Sequence, residues 1–392
     1  MLKEQEERAR QFGTKVRLFP QAPFLSGFGE PEVVWLSPTA GTIGPGPSDD
    51  RMYVVDPIEK LRPYEFPYLP PYFGEVFPPA EPGIDGHFDH FEIGTRHFIA
   101  THLYGSVRRV LDIFESYVGR RIEWQFEPDL PRLEIVPLLD WDNAQSGYGF
   151  IECGFSDDEK GRRQPFALNF DIIGHEVGHA VLFSIIGTPL GAPTRQFLAF
   201  HESAADLASL LATVHFDSVL DRLLHVTHGN IYTINELNRI AEISDVRQIR
   251  LACNDRKMSD VTEEVHDLSR PLTGAFFDVL AFLYLERLYE EGLVGRDVRD
   301  AARDGQLTGA RADMIQTAFD RAYANRHFQF KSALELARDT LGSRLASTWQ
   351  ALSPEELEFE DVAKAFCECD SSVTSGEYKN EIPDIFRWRE IF

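Results

Sequence analysis

Residues 169–181 read Asn169-Phe170-Asp171-Ile172-Ile173-Gly174-His175-Glu176-Val177-Gly178-His179-Ala180-Val181, and Glu202, in His201-Glu202-Ser203-Ala204-Ala205-Asp206, follows His179 after 22 intervening residues. On a helix, side chains four apart project from one face, so the two imidazoles can reach a single zinc ion. The glutamate beside the first can then meet a water activated there. Chance alone would place H-E-x-x-H in a chain of this composition with an expectation on the order of 0.03. A zinc site needs a third ligand. A loop with Gly187, Pro189, Gly191 and Pro193 can reverse the chain, so that the next helix runs antiparallel and presents Glu202. Asp206, one turn further on the same face, is placed to accept the outer N–H of His175 and fix its tautomer. The competing reading, core histidines and solvated acids, would bury five polar or ionisable groups on two otherwise apolar helices with no cation to compensate them.

Working outward, 392 residues suggest two or three domains, and 43% apolar residues are enough for a sizeable core. Thirty-nine basic against 63 acidic side chains leave a formal charge of −24. Such a surface repels phosphate backbones and anionic lipid heads, which argues against nucleic-acid and membrane partners. The amino-terminal run MLKEQEERARQF is charged where a signal peptide would be apolar, and no run of 18 apolar residues occurs. A cytoplasmic protein is the expectation. Cys153, Cys253, Cys367 and Cys369 are too few and scattered for a disulfide framework and read as reduced thiols.

Fourteen of the 23 prolines precede residue 84, in stretches such as PYEFPYLPP (63–71) and PPAEP (78–82). Proline fixes φ and removes a donor, so residues 1–84 are expected to form an extended or turn-rich arm, with Tyr64, Phe66, Tyr68, Tyr72 and Phe73 free to lie on a neighbouring surface. From about residue 92 apolar residues recur at three and four, predicting a long helix that ends at Gly119. Short extended runs at 121–126, 133–139 and 147–155 predict a small sheet. Helices are predicted near 170–186, 196–214, 216–228, 233–242, 273–292, 309–324, 331–350 and 355–367. The expected class is α+β: the arm (1–84), an α/β lobe ending in the His175 helix (85–186) and a helical lobe (187–392).

DIIGHEVGHAV, followed by a helix with glutamate and, four residues later, aspartate, resembles the zinc helices of the thermolysin-like neutral metalloproteases, a branch of the gluzincins. The resemblance implies His175, His179 and Glu202 as zinc ligands, Glu176 as general base and Asp206 as the partner of a ligand histidine. It extends over roughly residues 88–370. Asn143-Ala144 in DWDNAQSGYGF sits where the family binds substrate backbone on an edge strand. QIRLACND places Arg250 where the family has an arginine for a substrate carbonyl. FKSALELARDTLGS and DVAKAFCECD resemble the closing helices.

The departures are specific. No tyrosine stands between His179 and Glu202, where the family has one that stabilises the oxyanion. The family's second oxyanion donor is a histidine shortly before a glycine; in EEVHDLSRPLTGAFFDVL, His266 is eight residues before Gly274 and Arg270 four, so either can serve. The sheet lobe is short, and no acidic calcium loop is evident. His87, His90, His97 and His102 suit no common zinc framework and read as packing or capping residues, and Cys367 and Cys369 as ordinary helix residues. The implied function is a zinc metallopeptidase, with one zinc per chain, that acts on peptide or protein substrates. The alternative is a catalytically silent or autoinhibited protein of the same scaffold that binds or regulates a partner.

Overall fold

The computed structural model describes residues 2–157, 161–232, 239–240, 250–303 and 310–392. The described chain divides into two compact units. One holds the chain up to Thr188 together with Ala204–Thr213; the other holds Pro189–Ser203, Val214–Ile240 and Arg250–Phe392.

The first unit begins with helix α1 (Leu2–Phe12) and the antiparallel strands β1 (Gly13–Leu18) and β2 (Glu32–Thr39). An extended arm over all of 1–84 is therefore not what forms. Its first proline is Pro20, so residues 2–12 carry no proline to stop a helix. Pro38 is accommodated inside β2 because the register shifts between Gly13 and Thr14, a bulge where its missing N–H costs no ladder bond. Strand β3 (Met52–Val54) then joins a four-stranded sheet ordered β3-β4-β6-β5, with β4 (Leu133–Val136), β5 (Ala144–Gly147) and β6 (Phe150–Cys153). β3, β4 and β6 run parallel, and β5 pairs antiparallel to β6 as an edge strand.

The long helix α2 (Arg96–Val118) starts where Thr95 Oγ1 accepts the Phe98 N–H and ends at Gly119, whose φ of 77° is the left-handed conformation that glycine tolerates. Residues 121–126 do not form the predicted strand. Their backbone and side chains are held individually instead: Ile122 N–H donates to Glu115 Oε1 (3.0 Å) and Trp124 Nε1 to the Arg51 carbonyl (3.1 Å). A small hairpin, β7 (Phe155–Asp157) with β8 (Arg163–Pro165), leads to helix α3 (Phe170–Ile186). α3 packs on α2 and on β5.

Helix α4 (Arg195–Thr213) is continuous, and the division between units passes through it, between Ser203 and Ala204. The second unit is mainly helical: α5 (Asp217–Thr227), the short pair β9 (Arg239–Ile240) and β10 (Arg250–Leu251), α6 (Val265–Glu290), α7 (Arg296–Arg303), α8 (Ala310–Tyr323), α9 (His327–Ala351), α10 (Phe359–Thr374) and α11 (Glu381–Trp388). The helix predicted near 233–242 falls mostly outside the described residues, and Arg239–Ile240 is strand. α6 starts well before the predicted residue 273 and runs through Pro271. Its first turn is fixed by Glu264, whose side chain accepts the Asp267 N–H; Pro271 lies inside the helix and has no N–H to offer the Asp267 carbonyl one turn back. By length and composition α6 could cross a membrane, but 89% of its apolar window is buried inside the protein, as in a core helix.

Candidate metal centre

α3 is built to carry polar groups through an apolar environment. Asn169 Oδ1 caps it by accepting from the Asp171 and Ile172 N–H groups, and Asp171 in the first turn complements the helix dipole. The rest is almost entirely core: Ile173, Val177, Val181 and Leu182 are fully buried. His175 is buried, and Glu176 and His179 half-buried.

Glycines let α4 come close. A Cβ on Gly178 would sit 2.8 Å from Ala205 Cα and 2.9 Å from Ala208 Cβ, and one on Gly174 would sit 3.1 Å from Ser209 Cα. Ser209 Oγ donates to the Asp171 carbonyl (2.7 Å) and to its carboxylate, which fixes the register of the two helices. Asp206 Oδ1 then lies 2.9 Å from His175 Nδ1. Glu202, four residues earlier on the same helix, shares that face.

The result is a convergence of donors. His175 Nε2 and His179 Nε2 are 3.2 Å apart. One ligand atom from each of His175, His179 and Glu202 lies within 4.8 Å of the others. Two nitrogens bound at about 2.0–2.1 Å in a tetrahedron stand about 3.3–3.4 Å apart, so the imidazoles already have the separation of two zinc ligands. Two nitrogens and one carboxylate oxygen are a donor set that zinc favours, and they fit H-E-x-x-H plus a downstream glutamate. Among the described residues no other group of three such donors converges.

The remaining sequence candidates fall as follows. His266, in the first turn of α6, places Nε2 3.3 Å from Glu202 Oε2 and Nδ1 2.9 Å from Glu264 Oε1. Arg270, one turn later, is ion-paired instead with Asp267 (3.2 Å). Asn143 is exposed just before β5, and its carbonyl accepts the Gly154 N–H (2.8 Å); Ala144 opens β5, opposite Cys153. Arg250 is in β10, and its side chain lies outside the described residues.

Histidines outside the centre have structural partners. His102 is fully buried between the Phe19 N–H (2.9 Å to Nε2) and the Ala167 carbonyl (2.8 Å to Nδ1). Lys15 N–H donates to His87 Nδ1 (3.2 Å), and His97 Nε2 lies 3.1 Å from the Pro78 carbonyl. Burial, with the Glu176 and Glu152 carboxylates nearby, pushes the Cys153 thiol well above its usual range, so it stays protonated and a poor nucleophile.

Sequence reasoning missed two contributors. Glu264 both caps α6 and holds His266; its signal was an acid two residues before a helix-opening histidine. Gly174 and Gly178, spaced four apart on the face toward α4, announced a close helix approach.

No family model matches this chain, and no curated protein does. Among solved structures it is similar to the precursor of protealysin, a metalloproteinase from Serratia proteamaculans, at 14% sequence identity over 87% of this chain and 86% of that one, with a TM-score of 0.48.

Proposed function

We propose that the chain is a zinc-dependent metalloendopeptidase. The observation that supports it is the convergence of His175, His179 and Glu202, with Asp206 behind His175 and Glu176 one residue along the same helix. When bound, zinc would supply a Lewis acid that acidifies a water and polarises a peptide carbonyl. Asp206, accepting from His175 Nδ1–H, leaves Nε2 as the donor lone pair. Glu176 takes the proton of the attacking water and passes it to the leaving amine. His266 donates an N–H to the developing oxyanion; Arg270, on the same helix, is the other candidate. An extended substrate adds to the free side of β5, held by Asn143 and the Ala144 backbone, with Arg250 for a further carbonyl.

The test is direct. One equivalent of zinc should copurify, and cleavage of some member of a broad peptide library should be abolished by a chelator and restored by Zn²⁺. Glu176→Gln should retain the zinc and lose about 10²–10⁴-fold in kcat. Full zinc occupancy with no cleavage of any peptide overturns the reading, and a Glu176→Gln kcat within about tenfold of the wild type overturns the base.

A further inference from the structure

Two carboxylates are buried outright in the sheet that carries β5. Glu134 on β4 and Glu152 on β6 are each 0% exposed. Residues paired across a ladder share a face, so Tyr53 (opposite Glu134) and Gln145 (opposite Glu152) stand on the same face as these acids, while Ala144, Ile151 and Cys153 alternate to the other. Buried carboxylates must be paired and hydrogen-bonded. Here most of the partners come from residues 60–72, joined by Tyr53 of β3 and Gln145 of β5. Lys60 Nζ, its side chain 1% exposed, meets Glu152 Oε2 at 2.7 Å and also donates to the Arg62 carbonyl (3.0 Å). Glu152 Oε1 accepts the Tyr64 N–H (2.6 Å) and Gln145 Nε2 (2.7 Å). Glu134 accepts the hydroxyls of Tyr53 (2.8 Å) and Tyr64 and the Tyr72 N–H (3.0 Å).

Gln145 is the link to the edge strand. Its Nε2 is shared between Glu152 and the Tyr64 carbonyl (2.9 Å). Among the described residues β5 has one strand neighbour, β6, so this side chain is a second tether from β5 to the body of the sheet. Around it Tyr64, Val136 and Phe150 form an apolar cluster with Tyr68, Leu69 and Tyr72 packed on it, so water is kept from the tie.

We infer that Lys60, Glu152 and Gln145 are positioning residues: through them residues 60–72 hold the strand Ala144–Gly147 where an extended peptide docks. The inference rests on the reading of β5 as the substrate strand. It makes the proline-rich stretch a lasting part of the binding platform rather than a segment to be removed.

The experiment uses the full chain with Gln145→Ala, Lys60→Met and Lys60→Arg, and measures zinc content, amide hydrogen exchange of residues 144–147, and KM and kcat on a peptide the wild type cleaves. Gln145→Ala should keep its zinc, exchange in β5 about 10-fold faster and raise KM about 10-fold with kcat within about twofold. Lys60→Met should go further in the same direction, and Lys60→Arg should restore most of the loss. Unchanged β5 exchange and unchanged KM in folded Gln145→Ala overturn the inference. If Lys60→Met does not fold, Gln145→Ala, which keeps the ion pair, decides alone. If the wild type cleaves no peptide, the endopeptidase reading fails, while β5 exchange still decides the tether.

Discussion

Asp206 and His102 are both buried polar side chains, yet they lead to different measurements. In the proposed site Asp206 orients His175, 2.9 Å away, so Asp206→Asn should weaken zinc binding about 10–100-fold in a chelator competition while leaving the helix content unchanged. An unaltered zinc affinity would show that the contact does not support the ligand. His102 supports the scaffold. Burial pushes its pKa down to about 4, against 6.5 for a free imidazole, and its neutral ring accepts the Phe19 N–H and donates to the Ala167 carbonyl. Between these two values the unfolded chain binds the extra proton, so the contribution is complete above about pH 6.5 and is lost as pH falls to about 4. That amounts to about 3 kcal/mol. Urea titrations across that window should show His102→Asn losing less stability on acidification than the wild type; parallel slopes would assign the acid sensitivity to other groups.

Between elements, the decisive contact is α3 against α4, where Gly178 leaves no room for a side chain. Gly178→Ala must push the helices apart or distort them, at a cost of about 1–3 kcal/mol. Because Asp206 and Glu202 ride on α4, zinc affinity should fall along with the melting temperature; a variant that melts earlier but binds zinc as before would separate packing from ligation. The helices were legible in the sequence because their markers are local: Asn169 and Gly187 bound α3, Gly119 ends α2, and His175 and His179, four apart, share one face of α3. The strands were harder. Residues 121–126 alternate like a strand, but they are held by Glu115 at the end of α2 and by Arg51, which is remote in sequence. Glu134 and Glu152 lie within the predicted extended runs, and nothing local reveals that Lys60 and Tyr64 cover them. α6 was expected only from about residue 273, yet it begins at Val265 and carries Pro271 inside it without the N–H that would meet the Asp267 carbonyl.

For the whole molecule, the amino-terminal stretch is the part whose role the composition disguised. Prolines at 63–71 suggested an extended arm laid on a neighbouring surface, yet β3 is a strand of the four-stranded sheet and residues 60–72 partner its buried acids. Removing residues 1–84 should therefore give insoluble or unfolded protein, as judged by circular dichroism and gel filtration; a folded, zinc-binding remainder would show that the sheet stands without β3. The opposite end of the chain has its own anchor. Arg389, 1% exposed, donates to Asp278 (2.6 Å), to the Asn254 side chain (3.0 Å) and carbonyl (2.6 Å) and to the Arg256 carbonyl (2.8 Å), while the Met258 N–H donates to its own carbonyl (3.0 Å). One side chain thus laces the Asn254–Met258 stretch to Asp278 of α6, and Arg389→Met would undo the whole knot at a stroke. Amide exchange over residues 254–258 should then quicken well before the rest of the protein loosens.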